Sequence, residues 1–177
     1  MILSYNELHG LVDDNVISAD HSQINGTSID VCLGDEIMIE DIHGGVIDPS
    51  IKQPLNMISI KMRDEGYILS PGEVVLACTK EIFNLPNNLS CEFKLKSSIA
   101  RVFINNMLAT WCDPCWSNSV LTLELKNDTR YHSILIKPNM KIGQMIFFES
   151  KPVPHEKSYA VNGRYNNTVS VTASKGV

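Results

Sequence analysis

The sequence contains no apolar segment that approaches the ~20 residues of a membrane-spanning helix. Residues 1–7 lack the basic stretch and the long apolar stretch of a secretory signal peptide, so we expect neither a membrane span nor a leader. Basic residues are not in excess, because 15 Lys and Arg stand against 20 Asp and Glu, for a net charge of -5. A general nucleic-acid binder or a protein of anionic membranes would normally be basic, so the composition argues against both classes. The composition does not argue against a protein that binds a small anionic ligand in a locally basic pocket.

The cysteines of the sequence form neither an even disulfide framework nor a complete zinc-binding motif. Five cysteines cannot form an even disulfide framework, which fits a reducing cytoplasm, either of a cell or of a virus-infected host cell. Cys112 and Cys115 form a CxxC, but a zinc site needs four ligands, or three and a water, and no second CxxC is present. The zinc-dependent nucleobase deaminases carry H-x-E followed by P-C-x-x-C, and no His in this sequence is followed two residues later by Glu. We expect two free thiols rather than a zinc ion or a redox pair.

Short alternating segments are abundant, whereas helical patterns are few. In the segments 29–34, 92–96 and 120–126, apolar residues alternate with polar or small ones. Turn sequences such as Asn25-Gly26 separate such segments. This pattern predicts a mostly β fold, built as a sandwich, a jelly roll or a barrel.

The two ends of the chain differ from this pattern. Ser4 and Glu7 have the spacing of a capping box, which predicts a short helix over residues 5–12. Residues 155–177 are largely polar, which predicts a mobile C-terminal arm. At 177 residues, a single domain over residues 1–177 is expected.

The segment 96–101 combines two cations with two adjacent hydroxyl groups. Lys96, Ser97, Ser98 and Arg101 fall within six residues of one another. Hydroxyls, backbone amides and a guanidinium together make a good phosphate cradle. Serines also commonly fill turns, so the pattern alone leaves a plain turn as the alternative.

Two carboxylates lie on segments that otherwise alternate as half-buried strands. Glu124 lies on the polar face of the segment 120–126. It is either solvated or a general acid/base whose pKa is raised by partial burial. Asp30 faces away from the apolar side chains of the segment 29–34, and it is either solvated or part of an interface or site.

The motif Lys96-Ser97-Ser98-Ile99-Ala100-Arg101 resembles the K/R-S-S-L-A-R motif of the dCTP deaminase family, which belongs to the trimeric dUTPase superfamily. Six further segments match in the family's order: residues 24–34, 69–73, 113–114, 121–127, 138–144 and 163–165. The resemblance implies a distorted jelly-roll (β-clip, dUTPase-like) fold, assembled as a homotrimer with active sites at subunit interfaces. It also implies dCTP or a related deoxynucleotide as the substrate, Mg²⁺ accompanying the triphosphate, no zinc, and dTTP as a candidate effector.

The resemblance further implies roles for individual residues. Glu124 precedes Asn127 by three positions, as in the deaminase branch, and would be the general base. Ser97 would position the attacking water, and Arg101 would lie close to Glu124 and fix its carboxylate. The residues expected to bind the nucleotide are Lys96 and Ser98 at the phosphates, Asp113 at the deoxyribose, Thr110 near the water, and Tyr159, Arg164 and Tyr165 in the arm.

The segment 107–115 departs most from the family pattern, since Ala109-Thr110 is out of register with the family's Thr-Ala and Cys112 and Cys115 replace its usual residues. The leading hypothesis is the deamination of dCTP to dUTP and ammonia. A bifunctional enzyme that continues to dUMP and pyrophosphate is the first alternative. A non-catalytic nucleotide-binding regulator on the same fold is the second.

Overall fold

The computed structural model describes residues 1–43, 45–52 and 55–176. In this part of the chain the regular structure is mostly β, which confirms the predicted class. Its twelve strands are β1 (Ile29–Glu40), β2 (Met57–Lys61), β3 (Tyr67–Leu69), β4 (Val74–Thr79), β5 (Phe83–Asn84), β6 (Leu89–Leu95), β7 (Ile104–Asn106), β8 (Trp111–Cys112), β9 (Ser117–Ser119), β10 (Thr122–Asn127), β11 (Ile134–Ile136) and β12 (Lys141–Glu149). The helices are α1 (Tyr5–Asp13), α2 (Ser97–Ala100) and α3 (Tyr159–Asn162), with 3₁₀ turns at His21–Gln23 and His155–Lys157.

Helix α1 begins as the capping box predicts. The Ser4 backbone N–H donates to the Glu7 carboxylate at 2.8 Å, and the Ser4 hydroxyl donates to the same oxygen. Leu8 is fully buried, so the helix packs its apolar face on the core. The helix ends one residue later than predicted, at Asp13. None of the helices within the described ranges combines the length and the apolar character that crossing a membrane requires.

In the described part of the chain, eight strands form one antiparallel sheet. Seven follow the order β7-β10-β4-β1-β12-β6-β8, and β2 also pairs with β1. β1 pairs with β12 through its first residues and with β4 and β2 through its later ones. Its register shifts between Val31 and Cys32 and again between Leu33 and Ile37, and such irregularities bend a strand. The sheet therefore curls instead of lying flat.

The curled sheet encloses the main hydrophobic core. Three phenylalanines are fully buried in it: Phe83, Phe93 and Phe147. The predicted alternation of β10 is confirmed, because Leu123 and Leu125 are buried while the side chains between them and beside them are only half-buried. The alternation thus presents one face of β10 to the core and the other to the site described below.

The C-terminal arm lies along β9 and β10. The Val120 N–H donates to the Thr168 carbonyl at 2.9 Å, and the Asn167 N–H donates to the Ser117 carbonyl at 3.1 Å. Val171 is buried against a small apolar cluster next to these strands. The arm is docked in this structure, and it forms one side of a cavity.

Asp30 is buried, at 3% exposure, so the alternative that it is solvated is wrong. Its carboxylate accepts hydrogen bonds from Lys96 Nζ at 2.7 Å, from Lys141 Nζ at 3.0 Å and from Asn25 Nδ2 at 2.9 Å. Burial by itself raises the pKa of Asp30, but these donors together lower it below its ordinary value. Asp30 thereby ties the end of β6 and the start of β12 to β1.

Asp30→Asn is expected to lower the free energy of unfolding by about 3 kcal/mol, because it leaves two ammonium groups without their shared counter-charge. The pKa of Asp30 is lower in the folded state. The stability that the Asp30 carboxylate contributes is therefore fully present above the unfolded carboxyl pKa of about 3.9. It is lost as the pH falls through the pKa of Asp30 in the folded state. Urea denaturation at several pH values should show that the difference in the free energy of unfolding between wild type and variant becomes smaller toward acid pH.

Asp64→Asn is the matched control, since Asp64 is an exposed turn carboxylate. It should change the stability by less than about 0.5 kcal/mol. An equal loss in both variants at pH 7 would contradict the role assigned to the buried Asp30 cluster.

Candidate active site

A cavity of about 420 Å³ opens between β10, the segment around β8 and the docked C-terminal arm. Leucine, valine and tryptophan side chains provide much of its wall. Its polar lining includes one carboxylate from β10, one from the turn after β8, and two tyrosines of the arm: Glu124, Asp113, Tyr159 and Tyr165. An apolar cavity of this size with a few convergent polar groups is the usual form of a small-molecule site.

Glu124 reaches the cavity because of the alternation of β10. Leu123 and Leu125 are buried on the core face, so the Glu124 side chain lies on the opposite face. Its Oε2 atom is buried and has no hydrogen-bond partner in the described part of the chain. Burial raises the pKa of Glu124 above its ordinary value. A buried, unpaired carboxyl that faces a cavity is suited to proton transfer, which favours the acid/base interpretation over the solvated one.

Asp113 and the two arm tyrosines are held in place by hydrogen bonds or burial. The Trp111 indole Nε1–H donates to Asp113 Oδ1 at 3.0 Å, which orients this carboxylate. Burial raises the pKa of the Tyr159 hydroxyl. The Tyr165 carbonyl accepts a hydrogen bond from the Trp116 indole at 3.2 Å, so the arm is fastened to the cavity wall.

The residues predicted to hold phosphates and to assist Glu124 lie elsewhere. Ser97, Ser98 and Arg101 are exposed in and just after α2. None of the residues 96–101 lines the cavity. Within one chain, the structure brings Asp113, Tyr159 and Tyr165 to the cavity of Glu124, but not Ser97 or Arg101.

Thr110 and Arg164 make contacts with the main chain. The Thr110 carbonyl accepts the Phe93 N–H at 3.0 Å, which joins the segment before β8 to β6. The Arg164 guanidinium donates to the Gly176 carbonyl, which holds the end of the arm. Neither residue lines the cavity, so their contacts with a nucleotide stay predictions.

Several residues that the sequence analysis did not predict to bind a ligand also line the cavity, among them Leu76, Trp111, Cys112 and Thr122. Thr122 lies two positions before Glu124 on the same face of β10, so the period of the strand could have identified it. Trp111 could have been suspected only because it lies close to Asp113, and Cys112 was considered only as part of the CxxC segment. Leu76 comes from β4, which pairs with β10, and no local sequence pattern indicates this pairing.

The CxxC segment contains free thiols. Cys112 is buried opposite Cys91 in the pairing of β6 with β8. Burial first, and the neighbouring Cys112 thiol second, raise the pKa of Cys91. All five cysteines are free. The described residues contain no group of three or more His, Cys, Asp or Glu side chains that could hold a metal ion.

Comparison with known proteins assigns the chain to a family. The sequence model of a family described as dCTP deaminase-like matches residues 2–150. The chain belongs to this family. A protein of Acidothermus cellulolyticus named dCTP deaminase, dUMP-forming, is 37% identical over 161 residues, which cover 88% of this chain and 83% of that protein. A protein of Streptomyces coelicolor with the same name is 34% identical over 183 residues, which cover 99% of this chain and 95% of that protein.

The fold of the family is also present. The crystal structure of 2'-deoxycytidine 5'-triphosphate deaminase from Agrobacterium tumefaciens matches with a TM-score of 0.63 at 20% sequence identity. The match covers 82% of this chain but 47% of that chain, so this chain spans about half the length of that protein. The predicted family and the predicted fold are both confirmed. The family match includes the segment 96–101 and Glu124, and it ends before the arm.

Proposed function

We propose that the protein is a zinc-independent dCTP deaminase that forms dUMP. In this reaction dCTP and two water molecules give dUMP, ammonia and pyrophosphate. The observation that carries the proposal is the half-buried Glu124, which faces an apolar cavity with Oε2 unpaired among the described residues. The names of the relatives favour dUMP over dUTP as the product, so they favour the bifunctional alternative over the leading hypothesis.

Glu124 carries the protons of the deamination. It takes a proton from a water molecule that attacks C4 of the cytosine and passes this proton to the ring N3. It then takes the proton of the new C4 hydroxyl group and passes it to the exocyclic amine. The bond between C4 and this amine then breaks, ammonia leaves, and a uracil remains. Such transfers need a carboxyl whose pKa is raised above that of a solvated glutamate, and burial provides this.

Ser97 and Arg101 act on this cavity from an adjacent copy of the chain. β7, which follows α2, is an edge strand of the sheet in the described part of the chain. Phe103 and Leu108 flank it and are 64% and 82% exposed. An open sheet edge with exposed apolar neighbours favours contact with another chain. In a homotrimer, each cavity receives the Ser97 hydroxyl and the Arg101 guanidinium of its neighbour.

The nucleotide binds with its base at Glu124 and its deoxyribose at Asp113 of one chain, and with its phosphates at Lys96 and Ser98 of the adjacent copy. The apolar wall keeps bulk water away from the base. Mg²⁺ is usually held by substrate phosphates, waters and one or two carboxylates, so it would bind together with the triphosphate. When bound, the ion neutralises phosphate charge.

The test is a product analysis of the purified protein with dCTP and Mg²⁺. We expect ammonia, dUMP and pyrophosphate in equal amounts, without accumulation of dUTP. If dUTP accumulates, the protein is a deaminase only. If no ammonia is released but dCTP or dTTP raises the melting temperature, the protein is a nucleotide-binding regulator and the enzymatic proposal is wrong.

A further inference from the structure

Lys96 and Lys141 share one buried carboxylate. Lys96 Nζ lies 2.7 Å from Asp30 Oδ1, and Lys141 Nζ lies 3.0 Å from Asp30 Oδ2. The Asp30 side chain is 4% exposed, whereas those of Lys96 and Lys141 are 28% and 49% exposed. The carboxylate is therefore inside the protein, while both ammonium groups reach the surface next to the start of α2.

A local bulge directs Lys141 to this place. The pairing of β12 with β1 skips Ile142, so Cys32 rather than Leu33 lies opposite Lys141. Cys32 lies on the same face of β1 as Asp30, whereas Leu33 is buried in the core. Without this register shift, Lys141 would lie opposite Leu33, and its side chain would point toward the core face. The irregularity therefore has a defined effect, which is to bring a second cation to Asp30.

The cluster of Asp30, Lys96 and Lys141 carries a net charge of +1 when all three side chains are ionised. Asp30 balances one ammonium group, and no other carboxylate in the described ranges forms an ion pair with Lys96 or Lys141. The exposed hydroxyls of Ser97 and Ser98 follow directly along the chain. Surplus positive charge beside free hydroxyl donors matches a polyanion with many oxygen acceptors.

We propose that Lys141 is a further phosphate-binding residue, which contacts the phosphate chain of the nucleotide together with Lys96. The inference rests on the proposed function, because that function puts the phosphates at Lys96 and Ser98. Asp30 fixes both ammonium groups before the ligand arrives, so little side-chain freedom is lost on binding. Since the attraction grows with the charge of the ligand, Lys141 favours a triphosphate over a monophosphate.

Lys141→Gln is expected to weaken dCTP binding by about tenfold, since a charged hydrogen bond is lost, and to weaken dCMP binding by less. The affinity should also depend less steeply on salt concentration. Lys141→Arg should restore most of the affinity. Calorimetric titration with dCTP and dCMP in the presence of Mg²⁺ measures these effects, and a Glu124→Gln background prevents turnover during the titration.

Lys151→Gln provides the matched control, because it removes the same charge at an exposed position beyond the other end of β12. It should bind dCTP as the Glu124→Gln background does. An unchanged dCTP affinity in Lys141→Gln, or an equal loss in the control, would overturn the inference. Because binding is measured, a wild type that binds dCTP but releases no ammonia overturns only the proposed function. A protein that binds no dCTP overturns both.

Discussion

Glu124→Gln is expected to slow the release of ammonia from dCTP by about 10²–10⁴-fold. Glutamine keeps the size of the side chain but cannot take a proton from the attacking water. The cavity keeps its shape, so dCTP should still raise the melting temperature of the variant. Glu149→Gln changes an exposed carboxylate at the end of β12 and should keep the wild-type rate.

The stability of the same variant tests the burial of Glu124. Because the pKa of Glu124 is raised in the folded state, ionisation destabilises the protein. Stability therefore falls as the pH rises from the unfolded carboxyl pKa of about 4.3 through the higher folded value. Glu124→Gln removes this penalty, so its melting temperature at pH 7 should equal or exceed that of the wild type. If the variant loses activity and also has a lower melting temperature than the wild type, Glu124 has a structural role. If the rate of ammonia release is unchanged, Glu124 has no catalytic role.

Mixing two inactive variants is expected to restore about a quarter of the wild-type activity, if each site takes its two residues from neighbouring subunits. The variants are Glu124→Gln and Arg101→Ala, each of which is expected to be inactive when it is expressed by itself. In a random 1:1 mixture, about one site in four then contains both native residues. Ammonia release after co-expression or joint refolding measures this recovery.

The reason for this expectation is that Glu124 lines the cavity of its own chain whereas Arg101 does not. Subunit exchange is controlled by co-purification: when the Glu124→Gln chain carries an affinity tag, the untagged Arg101→Ala chain should be recovered with it. If that control behaves as expected but the two inactive variants together remain inactive, the site is not shared between copies in this way.

Features that depend on local pattern could be predicted from the sequence. The alternation of β10 puts Glu124 opposite Leu123 and Leu125, because side chains of a strand point to its two faces in turn. The capping box at Ser4 puts the start of α1 at the predicted residue, because Glu7 closes the box within a single helical turn. The motif at 96–101, together with six further short segments in the same order, likewise indicated the family.

Features that depend on distant contacts could not be predicted. The buried Asp30 carboxylate pairs with two lysines that lie 66 and 111 positions away along the chain. The wall position of Trp111 depends on the meeting of β8, β10 and the arm. The arm docks although its side chains are polar, because main-chain groups such as that of Thr168 pair with the neighbouring strands. Side-chain polarity does not report such main-chain pairing.

The cavity contains both tryptophans of the chain, Trp111 and Trp116. All tryptophan fluorescence of the protein therefore arises at this one site. Trp116 is buried and Trp111 is 54% exposed, so the two indoles emit from different surroundings. If dCTP binds in this cavity as proposed, its arrival should change the emission of these indoles, and rapid-mixing fluorescence would measure that step apart from ammonia release without any attached dye.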